Sequence, residues 1–307
     1  MSEEFIADPA LRTSWEAEIS KNKRKSIILL ASLWLIIIAL FYVFAQIFSP
    51  DYYLAWTIFG VFFSLLYIWI TYSLAISISI MAVGGRELNL KNPDEVRLKN
   101  LVGALAIGVG IPMPKIVIIE TDELNAFACG TSPEKSCVGV TSALLKKMNK
   151  VELEGVLSHE MSHITNYDVR FSTLVAISVG LIDILSYTFF RAMLFSGRDN
   201  RREGEGNAIF MVIGLVLAII APIISRIVQA SISRDREYLA DASGAKITRY
   251  PEGLASALQK IYETNKGMKI SESVSHLFTV DPTKSALDNI FATHPPILDR
   301  IKKLRAM

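Results

Sequence analysis

The sequence predicts a mainly α-helical membrane protein with a small β-sheet. Three observations predict it. Hydrophobic residues make up 51% of the chain and its mean hydropathy is +0.37. This surplus is concentrated in four long apolar runs, residues 26–48, 55–83, 171–195 and 207–232, each long enough to reach across a bilayer core as a helix. Between the runs lie polar stretches, 85–170 and 233–307, whose apolar residues recur mostly at helical spacing, with only a few β-branched segments of strand character.

Taken in order, residues 1–25 are polar and end in Lys21-Asn22-Lys23-Arg24-Lys25, a basic cluster that predicts a cytosolic N-terminus. Runs one and two, joined by a short connector with Asp51 as its single charge, read as a transmembrane hairpin over 26–84. Trp56, Tyr67, Trp69 and Tyr72 in the second run fit interfacial anchoring. Pro93–Ile107 reads as a helix, stopped by Gly108 and Gly110 ahead of Pro112 and Pro114. Lys115–Glu120 is a β-branched strand, and Asn125–Ala128 and Ser136–Val140 flank a turn around Thr131-Ser132-Pro133 as hairpin strands would. A short helix at 141–148 precedes a longer one.

Runs three and four carry internal charges, Asp183 and Arg226, which could pair across a second hairpin. Arg191, Arg198, Arg201 and Arg202 in their connector favour the cytosolic side, against simple alternation. Residues 171–232 therefore either cross twice or dip into the bilayer without crossing fully. A helix from 233 to about Lys246 follows, then an amphipathic helix over 252–265, a polar connection over 270–292 and a basic helix over 297–305.

Net charge is +2, from 32 basic and 30 acidic residues, which argues against a dedicated nucleic-acid binder. Cys129 and Cys137 are the only cysteines; they form either a disulfide or two buried thiols, and they lack the paired spacing of a zinc site.

The longer helix carries His159-Glu160-Met161-Ser162-His163. Residues four apart share a helix face, so the two histidines can bind one metal ion, with Glu160 beside them as a base for a nucleophilic water. Asn149 is a plausible N-cap with Glu152 three residues later, as in a capping box. Val151, Leu153, Val156 and Leu157 are expected to form its buried face. A hydrolytic zinc site needs a third protein ligand, for which Glu237, His276 and His294 are candidates. Glu237 stands one turn before Asp241, a spacing that lets Glu237 bind the metal while Asp241 accepts a hydrogen bond from a ligand histidine. The competing reading is a solvated charged face, since Arg234, Asp235 and Arg236 adjoin it.

Together, the motif with Asn166 and Asp168 after it, Arg234-Asp235-Arg236-Glu237-Tyr238-Leu239-Ala240-Asp241, Leu124–Gly130, and Thr293-His294-Pro295-Pro296 with Arg300 resemble the HtpX family of membrane zinc metalloproteases, related to the CAAX prenyl proteases. The resemblance covers nearly the whole chain. It implies a zincin-like (gluzincin) metallopeptidase domain, residues 85–170 and 233–307, plus four hydrophobic helices, with the second hairpin, 171–232, inserted in that domain. It implies one zinc ion (Zn2+) per subunit bound by His159, His163 and Glu237, with Glu160 as catalytic base and His294 and Arg300 near the oxyanion. Asp241, Asn166 and Asp168 would support the ligands, and Asn125, Ala126, Phe127 and Ala128 match an edge strand that docks extended substrate. The implied function is cleavage of misfolded or damaged membrane proteins, by a multi-pass protein of the cell membrane with its catalytic domain in the cytosol. Its expected partners are the membrane and an unfolded peptide substrate. The alternatives are a zinc-binding scaffold without proteolytic activity, which would have no need of Glu160, and a transporter, which the large polar fraction and lack of internal repeats disfavour.

Overall fold

The computed structural model describes scattered helical positions between 20 and 42, then residues 50–177, 234–265, 278–279 and 295–307. Most of the first apolar run, the greater part of the second hairpin with Asp183 and Arg226, and both His276 and His294 lie outside the described residues.

Helix α1 (Tyr53–Ala82) is the second apolar run. Its thirty residues span about 45 Å, and among the described residues it is the one helix long and apolar enough to cross a membrane. Its bulky side chains, including Phe62, Trp69 and Leu74, face outward, while its buried positions are small or hydroxylated: Gly60, Ser64, Thr71, Ala75 and Ser79. Such a surface suits hydrocarbon, where a helix satisfies its own backbone. Gly84, at φ +66°, turns the chain out of α1 into the sheet.

The sheet has the order β1-β2-β4-β3, with β1 Gly85–Glu87, β2 Lys115–Ile119, β3 Ala126–Ser132 and β4 Lys135–Thr141. β2 and β4 run parallel and the other pairs antiparallel. The sequence reading did not anticipate β1. It is only three residues long, and Arg86 within it bonds Glu95 and Glu120 at 2.8 and 2.6 Å. Helix α2 (Pro93–Val109) is capped by the Asn92 side chain, passes through Gly108 and ends at Gly110, which is left-handed at φ +72°. Gly110 alone therefore stops it, since Gly108 costs a helix only about 1 kcal/mol.

Alternation along the strands divides the core in two. Ile116, Ile118, Ala126, Ala128, Val138 and Val140 face the helices, with Leu98, Leu157 and Met161. Val117, Ile119, Phe127, Cys129 and Cys137 face the other way, against Ile76, Ile80 and Val83 at the end of α1 and against Ala176. Cys129 and Cys137 sit directly opposite each other as buried thiols. The sheet thus lies between the end of α1 and the helical layer.

That layer consists of α3 (Ser142–Lys147), α4 (Lys150–Thr165), α5 (Arg234–Thr248), α6 (Pro251–Thr264) and α7 (Ile297–Leu304). α4 is its centre, packed on α5, α6, α2 and β3. Two glycines permit the close approach: a Cβ at Gly155 would fall 2.6 Å from the Leu254 nitrogen, and one at Gly244 3.0 Å from the His159 nitrogen. One expectation fails here. Leu153, Val156 and Leu157 are buried, but Val151 is exposed, because two residues before Leu153 is about 200° round the helix.

Candidate metal centre

The centre is built on α4. Its capping box forms as expected: the Asn149 side chain accepts from the Glu152 N–H and Glu152 from the Asn149 N–H, both at 2.9 Å. This fixes the helix start and hence the rotation that carries His159, Glu160 and His163 inward. His159 and Glu160 are almost wholly buried and His163 nearly so. α5 crosses α4 where Gly244 lets it approach, and it brings Glu237 over both histidines.

The two Nε2 atoms are 3.2 Å apart, and the Glu237 oxygens lie 3.7 Å from that of His159 and 3.6 Å from that of His163. A tetrahedral ion with bonds of about 2.0–2.1 Å needs ligand atoms about 3.3 Å apart. Two imidazoles and a carboxylate at this spacing fit zinc, with one position left open.

Each outward ring nitrogen faces a carboxylate. Nδ1 of His159 lies 3.0 Å from Oδ1 of Asp241, and Nδ1 of His163 lies 3.1 Å from Oδ2 of Asp168. Each carboxylate is backed by a buried arginine. Arg300 grips Asp241 with Nε at 2.8 Å and Nη2 at 2.7 Å, and Arg236 lies 3.7 Å from Asp168 with its guanidinium over the Phe171 ring. Tyr167, left-handed at φ 59°, turns the chain back after α4 so that Asp168 reaches His163, a conformation costly for a residue with a Cβ. Asn166 is the C-cap of α4.

These charges set the titration of the metal-free centre. Burial pushes the His163 imidazolium down, but the bond to Asp168 and the charges of Glu237, Asp168 and Glu160 outweigh it and raise its pKa to about 9. Burial raises Asp241, yet the Arg300 charge and the contact with His159 more than reverse this and hold it below the usual range.

The pattern that defines peptidase family M48 matches residues 92–307. The chain belongs to this family. Its relatives place it among the HtpX proteases. It is 40% identical to a "Protease HtpX homolog" of Thermoanaerobacter pseudethanolicus over 305 residues, covering 96% of this chain and 98% of the relative. The homologue of Caldanaerobacter subterraneus shares 40% identity over 305 residues with the same coverage, and that of Dictyoglomus turgidum 47% over 212 residues, 68% of this chain and 69% of the relative. The crystal structure of S. mikatae Ste24p is 21% identical with a TM-score of 0.49, covering 94% of this chain and 66% of that one.

In this M48 chain, His159, His163 and Glu237 converge with Glu160 beside them, and Asp241 and Asp168 reach the two histidines. Arg300 comes to the same centre, with its guanidinium bonded to Asp241 and, through Nη1, to the carbonyl of Thr279 at 2.7 Å. Ala126, Phe127 and Ala128 lie on β3 at the sheet edge. Asn125 precedes the strand and is fastened to Thr141 of β4 in both directions. Two participants escaped the sequence reading. Arg236 looked like part of a solvated charge run, and Thr279, whose hydroxyl donates to Glu160 Oε1 at 2.5 Å, arrives from a stretch without regular signal. Only the tertiary fold brings either to the site.

Proposed function

We propose that this protein is a membrane-embedded zinc endopeptidase that hydrolyses peptide bonds of misfolded or damaged membrane proteins, with its catalytic domain on the cytosolic face. The observation that carries the reading is the triangle of His159, His163 and Glu237 at zinc spacing, with Glu160 buried beside it.

Zinc, when bound, supplies Lewis acidity toward a water and toward the scissile carbonyl. The protein's groups do the rest. Asp241 and Asp168 hold the Nδ1 sides of the histidines, which leaves both Nε2 lone pairs aimed at the shared position. Glu160 removes the water's proton and returns it to the leaving nitrogen. β3, at the edge of the sheet, is the strand to which an extended chain would be added. Arg300 positions Asp241, and its Nη1, now on the Thr279 carbonyl, has the reach to take a substrate carbonyl there instead. His294 is proposed as a second oxyanion group.

Placement supports the substrate class. The sheet that presents β3 rests on the end of α1, and a hydrophobic hairpin is inserted between His163 and Glu237 in sequence, so segments emerging from a bilayer are at hand. Casein cleavage by the full chain in detergent micelles, with and without a chelator, tests the reading. Cleavage that chelation removes and zinc restores is expected; a zinc-binding scaffold would show none.

A further inference from the structure

β3 is an edge strand of the sheet, yet part of its outer edge is taken by the chain itself. Phe278 pairs antiparallel with Phe127, and the Thr279 N–H donates to the Ala126 carbonyl at 2.8 Å. These are the bonds an added strand makes. Thr279 goes further. Its carbonyl accepts from Arg300 Nη1 at 2.7 Å, and its hydroxyl lies 3.0 Å from the Ala126 carbonyl and 2.5 Å from Glu160 Oε1. One residue therefore engages the docking strand and the arginine through its N–H and carbonyl, the backbone groups that any substrate residue at this point would present, and covers the base with its own hydroxyl.

Its neighbour marks a subsite. The Phe278 side chain is 1% exposed, with its ring 5.4 Å from that of Phe127. It points to the α1 side of the sheet, among Val117, Ala176 and Ile80. The partner ring of Phe127 lies over Gly139, where any Cβ would collide with it. The recess is apolar and bounded by the end of α1.

We propose that Phe278 and Thr279 are an internal occupant of the substrate track, and that the recess filled by Phe278 is the subsite that selects a large apolar side chain of the substrate. This rests on the endopeptidase reading above and adds its side-chain preference. A polypeptide leaving the bilayer carries such side chains, whereas the polar surface of a folded soluble protein does not. Occupant and substrate compete, so apparent affinity is reduced by the fraction of chains in which the track is filled.

Peptide binding to the full-length, metal-free protein in detergent micelles tests this. The probes are two fluorescent decapeptides that differ only in a central Phe or a central Asp. We expect the Phe peptide to bind at least about tenfold tighter than the Asp peptide, and Phe278→Ala to tighten it by a further factor of about ten. Thr279→Val keeps the branched shape, removes the hydroxyl from Glu160 and should tighten binding several-fold; it decides alone if Phe278→Ala fails to fold. Equal affinity for the two peptides, or folded variants that bind no tighter than the parent, would overturn the proposal. Because binding is read without metal, a protein that binds as expected but cleaves nothing refutes the protease reading and leaves the subsite standing. Zinc-dependent cleavage with no peptide discrimination refutes the subsite alone.

Discussion

Asp241 and Asp168 illustrate how much of the centre depends on single residues beyond His159, His163 and Glu237. Asp241 faces His159 and Asp168 faces His163, and each has an arginine on its other side. Asp241→Asn should lower zinc affinity by about 10- to 100-fold in equilibrium dialysis with little change of fold. Arg300→Met is more damaging: it leaves the buried Asp241 without its cation, whereas in the Asp241 variant Arg300 keeps Glu237 at 3.6 Å and the Thr279 carbonyl at 2.7 Å; stranded buried charges cost about 3–5 kcal/mol, so its melting temperature should fall below that of the Asp241 variant. His163 supplies a pH dependence. In the metal-free protein its pKa is held at about 9, against about 6.5 in an unfolded chain. The folded state binds this proton more tightly, so the contribution to stability is full below about pH 6.5 and is lost as pH rises through about 9. Chelated protein should therefore melt at progressively lower temperature across that window, and Asp168→Asn should flatten the decline. A melting temperature that rises over the same interval would contradict the assignment.

Elements differ in how far their sequences disclose them. α4 was legible because its signals are local: a capping box, apolar spacing and the metal motif all lie within one helix. Val151 misled only through its position on the helical wheel. β1 was illegible, since three residues carry no alternation and its register comes from Arg86 reaching Glu95 and Glu120. Arg236 and Thr279 were missed for a related reason, as their roles come from contacts with residues remote in sequence. The glycines make a sharper test of the helical packing. Gly155 meets the Leu254 backbone, so Gly155→Ala should destabilise by about 1–3 kcal/mol. Gly108 lies in exposed helix with nothing near its absent Cβ, so Gly108→Ala should be neutral or stabilise by up to about 1 kcal/mol. Denaturation of the two variants side by side separates the effects; equal destabilisation would mean that α4 and α6 are not packed as described.

At the scale of the whole molecule, a sheet lies between the end of the long apolar helix α1 and the helical layer that carries His159, His163 and Glu237. The helical character and the small sheet were readable from composition and periodicity, and His159, Glu160 and His163 from their motif, whereas Glu237 stood open on spacing alone and the remaining site residues rested on the family resemblance. The mixed strand order and the occupation of β3 by Phe278 and Thr279 were not, because strand pairing between distant segments leaves no mark on local sequence. The central claim is that three side chains hold zinc while a fourth, Glu160, moves the proton. Zinc content and casein cleavage measured together on Glu160→Gln test it most directly. The account predicts a variant that retains about one zinc per chain and cleaves nothing; a Glu160→Gln protein that cleaves as fast as the parent would contradict it.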